Sequence, residues 1–389
     1  MSNVNVALIG ASFMGRAHSN AWRKVVQFFD LKVKPVLKVV CDVDAEHVVP
    51  FAQRWGWEEA ATEWQRVIER KDIDIIDICT PTFLHKDMVL AAAANGKQIF
   101  CEKPVARNFD EAKEMYAAVK EAGVLNYLNH NYRRVPAVTL AQKMIADGEL
   151  GEIYHWRGAY LQDWISDPNF PLTWHLQKDK AGAGPQNDLN SHSVDLGRYL
   201  VGEISTVTAM LKTFIEERPL PGKDAGTFSA GSSSEAAEMA KVTVEDAAFM
   251  VVEFENGALG SFETSRFANG RKNYNTFEIY GSKGSLSFNM ERMNELEYLN
   301  LADPAGRQGF RTIQTTDPSH PYVAAWWPPG HIIGYEHTFV HAVKDFLDAI
   351  ANDTEILPNL YDGMKVMQVL EAGIRSSATG RHINVANVV

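Results

Sequence analysis

Asp188, His192 and Asp195 follow Gly184-Pro185 at i, i+4 and i+7, a spacing that predicts one helical face presenting all three. A histidine, with an ordinary pKa of about 6.5, can take a hydroxyl proton while a hydride leaves the adjoining carbon. A carboxylate one turn earlier can orient the substrate or the imidazole and tune its basicity. Taken alone, Asp-x-x-x-His is more often a surface pair on a helix, and Asp195 reads as structural. The chemistry therefore depends on what else the chain supplies. Lys103, just beyond the apolar run Gln98–Cys101, offers a cation that would stabilise negative charge developing on a substrate oxygen.

A hydride needs an acceptor, and the N-terminal segment reads as a dinucleotide site. The apolar run Val4–Ile9 leads into Gly10-Ala11-Ser12-Phe13-Met14-Gly15 and then a helical stretch. A dinucleotide fingerprint uses its first glycine for the tight turn, its second for approach of the pyrophosphate and its third for helix–strand packing. Ser12 replaces the second glycine, so the spacing alone is weak; its position between strand and helix is the stronger signal. Asp42 closes the second run, Val36–Cys41, where a carboxylate can accept both ribose hydroxyls and would repel a 2′-phosphate. NAD is thus expected over NADP. Asp44 is a rival for the same role, and a turn or cap is the alternative for Asp42.

Further runs at Ile73–Cys79, Gln98–Cys101 and Val124–Asn129 alternate with helical segments at Lys86–Asn95 and Asp110–Glu121. That alternation predicts a doubly wound parallel sheet with right-handed crossovers, a Rossmann domain over residues 1–130. From about Gly151 the pattern changes to period two. Ile153–Gly158, Val207–Ile215, Ala247–Glu255, Ala258–Arg266, Tyr274–Tyr280 and Ser285–Asn289 read as strands, with Asn256-Gly257 as a hairpin turn. Residues 131–389 are therefore expected to form an α+β domain on an open, mostly antiparallel sheet with helices on one face. Pro219–Ala240 interrupts it as a long loop, either disordered or a lid. His337–Ala351 and Tyr361–Ser376 read as helices.

Four ordered motifs resemble the Gfo/Idh/MocA family, the relatives of glucose–fructose oxidoreductase and inositol dehydrogenase. They are Thr80-Pro81-Thr82-Phe83-Leu84-His85, Glu102-Lys103-Pro104, Asn131-Tyr132-Arg133 and the segment from Gly182 to Asp195. The resemblance runs from residue 4 to about 288, with Ser12 as its clear departure. Tyr160-Leu161-Gln162-Asp163-Trp164, Pro171-Leu172-Thr173-Trp174 and Trp327-Pro328…Gly334-Tyr335 are similar to the branch that includes levoglucosan dehydrogenase. One departure there is His175, where arginine is expected. The resemblance implies NAD-linked oxidation of a secondary hydroxyl on an anhydrosugar, cyclitol or pyranose to a keto sugar. It also implies pairing of subunits, as a homodimer or homotetramer, through the second domain's sheet.

Lys103, Asp188 and His192 are on this basis the expected catalytic set. His192 is the general base in oxidation, Asp188 its orienting and substrate-binding partner, and Lys103 the electrostatic stabiliser. A relay in which Lys103 accepts the proton remains open. Expected cofactor contacts are Gly10, Ser12, Phe13, Met14, Gly15, Asp42, Thr80, Pro81, His85, Glu102, Lys103, Asn131 and Arg133. Expected substrate contacts are Lys103, Asn131, Gln162, Trp164, Trp174, Asp188, His192 and Tyr335, the tryptophans as walls for a sugar face. Two other functions use the same residues. One is a hydrolase or lyase that recycles NAD through a transient keto sugar; the other is a nucleotide-sensing regulator without catalysis, against which the complete Lys103/Asp188/His192 set argues.

Composition bounds the partners. Of 389 residues, 46% are apolar and 22% charged, and the net charge is −11. Residues 1–130 carry 16 basic and 17 acidic side chains, residues 131–389 carry 22 and 32. An acidic second domain without a basic stripe disfavours nucleic acid, anionic membranes and anionic sugars, leaving a neutral polyol as the expected substrate. No apolar run approaches the ~18 residues of a membrane span, and the N-terminal run reads as a strand, not a signal peptide. Cys41, Cys79 and Cys101, without disulfide or metal spacing, fit a reduced cytoplasmic protein and small buried residues at strand ends. No His/Cys/Asp grouping has zinc spacing, so no metal is expected.

Overall fold

The apolar runs of the first third assemble, in the computed structural model, into a six-stranded parallel sheet. The structure describes residues 2–222 and 238–389. The strands are β1 (Ser2–Ile9), β2 (Val33–Cys41), β3 (Glu59–Ala61), β4 (Ile75–Ile78), β5 (Gln98–Cys101) and β6 (Asn126–Leu128). Their order is β3-β2-β1-β4-β5-β6, all pairings parallel. The order reverses between β1 and β4, the switch point at which such sheets receive ligands. β1 and β4 are fully covered where they pair, at Val6–Ile9 and Ile75–Ile78, because helices flank both faces. The expected doubly wound architecture is present. β3 and the helices Ala45–Trp55 and Trp64–Glu69 are additional to the elements expected from the sequence. β3 is a three-residue edge strand of Glu-Ala-Ala with no apolar periodicity to mark it.

The second sheet has nine strands. They are β7 (Ile153–Leu161), β8 (Ile204–Lys212), β11 (Ala247–Phe254), β12 (Leu259–Ser265), β13 (Tyr274–Gly281), β14 (Gly284–Asn289), β15 (Glu295–Asn300), β16 (Arg311–Gln314) and β17 (Ile383–Asn384). They run in the order β16-β15-β14-β13-β7-β12-β11-β8-β17, antiparallel except where β7 pairs with β12. Period-two alternation turns Trp156, Phe262 and Phe277 inward, with Trp156 stacked on Phe277 at a centroid distance of 5.4 Å. The helices Pro136–Ala146 and Asn190–Leu200 pack on this sheet. The other face leaves Met210, Phe249 and Val251 exposed. A short ribbon, β9 (Glu217–Pro219) with β10 (Met239–Lys241), joins the ends of the expected 219–240 loop; its middle, 223–237, lies outside the described residues.

The domain limits differ from those expected. One compact unit comprises 1–134 with 333–365, the other 135–332 with 366–389. The boundary moves from 130 to 134, and a distant helix, Tyr335–Asn352, joins the nucleotide-type unit. The reason is burial: Phe346 of that helix packs edge-on against Phe100 of β5 at 5.3 Å, and the Leu128 amide donates to the Pro358 carbonyl at 3.0 Å. Such long-range contacts leave no mark on local periodicity.

Candidate active site

The first turn of the parallel sheet is shaped to receive a dinucleotide. Gly10 has φ +105°, and a Cβ there would lie 2.7 Å from the Cys79 carbonyl carbon and oxygen. A Cβ on Gly15 would lie 2.2 Å from the Gly10 carbonyl oxygen. Both glycines are therefore required, and they let the helix Phe13–Phe28 start hard against β1. The positive end of that helix faces the turn, where anions bind. Ser12 stands just before the helix, exposed, and its side chain makes no cap bond. Phe13 is exposed and Met14 half-buried.

Asp42 lies beside the same turn, with Oδ2 accepting the Ala11 amide at 2.8 Å. Asp44 is taken up elsewhere, because Oδ1 caps the helix Ala45–Trp55 through the Glu46 and His47 amides. Asp42 is thus the carboxylate left beside the glycine turn, and the dinucleotide fits this unit. His47, not among the expected contacts, reaches back with Nε2 3.0 Å from the Ala11 carbonyl.

Beneath Lys103 lies a buried polar chain. His18, on the buried stripe of the first helix with Trp22, places Nδ1 2.9 Å from Asp77 Oδ1 and Nε2 2.8 Å from Glu102 Oε1. The Trp22 indole donates to Asp77 Oδ2 at 2.7 Å, and the Asn129 amide to Glu102 Oε1 at 2.6 Å. Glu102 Oε2 accepts the Lys103 backbone N–H at 3.1 Å. Burial alone would push the imidazole down, but the Asp77 carboxylate outweighs it and holds His18 well above its usual pKa. Burial likewise pushes Glu102 up, yet His18 holds its carboxyl below the usual carboxylate range.

Several expected cofactor contacts are engaged inside the protein. Glu102, expected at a ribose, is 4% exposed and turned inward to His18 and Asn129. His85 is 1% exposed and staples two turns, Nδ1 near the Pro104 carbonyl at 3.0 Å and Nε2 near that of Thr80 at 2.9 Å. Burial lowers its pKa. Asn131 donates to the Thr338 hydroxyl at 2.8 Å, and Arg133 pairs with Asp362 at 3.3 Å. These four side chains brace the sheet edge. Thr80 and Pro81 are half-buried at the end of β4, and Tyr335 begins its helix beside Tyr132 and Phe339.

The nine-stranded unit gathers the remaining candidates. Asp188 ends a short helix, Pro185–Asp188, with proline in its first turn and the Gln186 amide donating to Glu245 Oε1 at 2.8 Å. His192 lies in the next helix, Asn190–Leu200, joined through Leu189, which keeps helical dihedrals. The single helix expected is thus two short ones, joined through Leu189. Asp195 is buried. The His192 ring meets Tyr160 edge-on at 5.8 Å. The surprise is the partner of Asp188: the Arg266 guanidinium donates to Oδ2 at 2.7 Å. Arg266 is fully buried and also lies over the Trp164 ring, 5.2 Å from its centroid.

Trp164, Trp174 and His175 form an aromatic edge around this pair. His175 stacks on Trp174 at 3.7 Å and meets Trp164 edge-on at 5.7 Å. Gln162 accepts from the Trp164 indole at 2.9 Å, which leaves the Gln162 amide nitrogen a further donor role. The segment is held by a small core of Ile165, Phe170, Leu172, Leu176, Val242 and Val244. Arg218, fully buried on β9, ties it down by donating to the Asp167 carbonyl at 2.8 Å and the Phe170 carbonyl at 3.2 Å.

Sequence reasoning missed His18, Asp77, Asn129, Arg218 and Arg266. Signals existed for three. Asp77 interrupts an isoleucine-rich central strand, His18 shares a helical face with Trp22, and Arg266 continues the inward alternation of Phe262 and Thr264. A charge on an inward face demands a partner. His18, Asp77 and Cys79 also bring possible metal-ligand atoms within 4.8 Å of one another, a grouping that sequence spacing did not suggest. Here they are hydrogen-bonded together, and burial pushes the Cys79 thiol up. All three cysteines are buried, with Cys41 pushed up to about 12 by burial.

Residues 4–130 match an oxidoreductase family described by its NAD-binding Rossmann fold, and residues 138–287 match the GFO/IDH/MocA C-terminal domain. Levoglucosan dehydrogenase of Pseudarthrobacter phenanthrenivorans is 44% identical over 393 residues, covering 100% of both chains. The solved structure of a levoglucosan dehydrogenase in complex with NADH and levoglucosan superposes with a TM-score of 0.92 at 43% identity, covering 99% of this chain and 100% of that one. The NAD(+)-dependent scyllo-inositol 2-dehydrogenase of Bacillus subtilis is 31% identical over 258 residues, 65% of this chain and 66% of the relative. Among the described residues, no helix is long and apolar enough to cross a membrane.

Proposed function

The chain belongs to the Gfo/Idh/MocA oxidoreductase family, and we propose that it is an NAD-dependent dehydrogenase of an uncharged sugar. It oxidises a secondary hydroxyl of an anhydrosugar of the levoglucosan kind, a pyranose or a cyclitol to the ketone. The NAD-binding fold and the full-length likeness to levoglucosan dehydrogenase support the reaction class. The observation that supports the reading is Asp188 and His192 on consecutive helices, the first bonded to the arginine that covers Trp164 and the second edge-on to Tyr160.

Bound NAD supplies the hydride acceptor. The Gly10–Gly15 turn and the helix behind it would hold its pyrophosphate, and Asp42 its adenosine ribose, which favours NAD over NADP. His192 takes the hydroxyl proton as alkoxide character develops. Asp188, held in place by Arg266, accepts a hydrogen bond from the sugar or orients the imidazole. The Lys103 ammonium stabilises the developing alkoxide, or receives the proton in a relay with His192. Trp164 and Trp174 offer flat apolar surface to the C–H face of a pyranose, while the Gln162 amide discriminates a hydroxyl. The acidic second domain opposes uronates and sugar phosphates.

The protein acts as a cytoplasmic homo-oligomer in this reading, the exposed face of the nine-stranded sheet meeting a second copy. The test is a panel of levoglucosan, inositols and free pyranoses with NAD and, separately, NADP. Net NADH formation with at least one of them is expected. Absence of any net reduction across the panel, with a sugar nevertheless cleaved, would instead establish a hydrolase or lyase that recycles its NAD.

A further inference from the structure

We propose that His18 is a positioning residue for Lys103, acting through Glu102. Three observations in the parallel-sheet unit carry the inference. First, both imidazole nitrogens face carboxylates, Nδ1 at 2.9 Å from Asp77 and Nε2 at 2.8 Å from Glu102. A neutral imidazole has one N–H and would turn a lone pair on one of them; only the imidazolium donates to both. Second, the site is sealed. His18 is 1% exposed, Asp77 0% and Glu102 4%, and the imidazole is walled by Phe100 and Phe339 at ring distances of 5.4 and 5.5 Å. Third, Glu102 has no side-chain freedom left. Oε1 accepts from His18 and from Asn129, and Oε2 accepts the backbone N–H of Lys103.

The chain of contacts runs from the first helix, through the ends of β4 and β5, to the turn that carries the lysine. Its charges alternate: Asp77 negative, His18 positive, Glu102 negative, Lys103 positive. The groups facing His18 from the elements around it are Asp77 and Cys79 from β4 and the segment after it, Glu102 from the segment after β5, and the neutral Asn129 and Trp22. His18 thereby does two things. It removes the repulsion that would otherwise arise between two buried carboxylates, and it fixes the carboxylate against which the Lys103 backbone is set. Because the same helix begins at the glycine turn, the dinucleotide cradle and the lysine are braced through one imidazole. Displacement of a catalytic group by ~1 Å costs on the order of 100-fold in rate, so bracing of this kind belongs to function as well as to folding.

This role rests on Lys103 being the lysine of the proposed reaction, so its test needs a readout without turnover. His18→Gln and Glu102→Gln are compared with the wild type, after a folded state is verified by circular dichroism. Lysines are reductively dimethylated with 13C-formaldehyde, and the Lys103 resonance, assigned by its loss in Lys103→Arg, is titrated. Either substitution should move the Lys103 titration by about half a pH unit or more. In sugar oxidation each should lower kcat by about tenfold to 100-fold with a much smaller change in sugar KM. The double variant should fall no further than the worse single one, since both cut one chain of contacts. An unmoved Lys103 titration in folded His18→Gln, or losses that multiply in the double variant, overturns the proposal. Should the wild type oxidise no sugar at all, the dehydrogenase reading fails while the titration still decides the role of His18. If His18→Gln does not fold, Glu102→Gln alone carries the titration.

Discussion

Arg266 donates to Asp188 across 2.7 Å from a fully buried guanidinium that also covers the Trp164 ring. The carboxylate beside His192 is therefore held by a cation rather than left to the imidazole alone. The same cation joins it to the aromatic edge proposed to receive the sugar. One guanidinium thus ties the Asp188 carboxylate to the Trp164 ring.

Replacing Arg266 by Gln should expose that coupling. The buried end of the pair loses its charge, Trp164 loses its cover, and Asp188 keeps partial access to water. A stability loss of about 1–3 kcal/mol is expected in urea denaturation, below the loss for a fully buried pair because Asp188 is partly exposed. Sugar KM should rise with it. Unchanged KM and midpoint would show Arg266 to be a passive core residue.

His192→Ala should lower kcat by on the order of 10²–10⁴-fold while NADH binding, followed by fluorescence, remains. Helix Asn190–Leu200 tolerates alanine, so the fold should persist. Retained turnover would pass the role of base to Lys103, where Lys103→Met would then abolish the rate.

Asp42→Ser should erode the preference for NAD. Without the carboxylate a 2′-phosphate is no longer repelled, and the kcat/KM ratio of NAD to NADP should fall by about tenfold or more. A ratio that does not move places ribose recognition on another residue.

Stability should decline toward alkaline pH through His18. Its folded pKa is raised well above the ordinary imidazole value of 6.5, so its contribution is complete below 6.5 and is lost as pH rises through the folded value. Glu102 has the opposite sign: its folded pKa lies below 4.5, so its contribution is present above 4.5 and is lost as pH falls through the folded value. Chemical-denaturation midpoints should therefore drop on both sides of neutrality. In His18→Gln the alkaline decline should flatten; an unaltered alkaline limb would assign it to other groups.

Phe249→Asp together with Val251→Glu should shift the protein toward monomer in sedimentation, because these exposed apolar side chains lie on the open face of the nine-stranded sheet. An unchanged mass would place the subunit contact elsewhere.

Local pattern determined the architecture. Apolar runs spaced by helices specify a parallel sheet, period-two alternation specifies an antiparallel one, and the Gly10 turn, Asp42, Lys103, Asp188 and His192 are readable because each sits within a short motif. Polarity alone could not decide what those motifs do with their side chains. Glu102 and His85 look like cofactor contacts in sequence, yet both point inward, because His18 lies 84 residues from one and the Pro104 carbonyl 19 from the other. The partner of Asp188 is 78 residues away, and the helix closing the nucleotide-type unit returns from residue 335. Buried charges must find opposite charges wherever the chain brings them, and that pairing is a property of tertiary packing, not of sequence spacing.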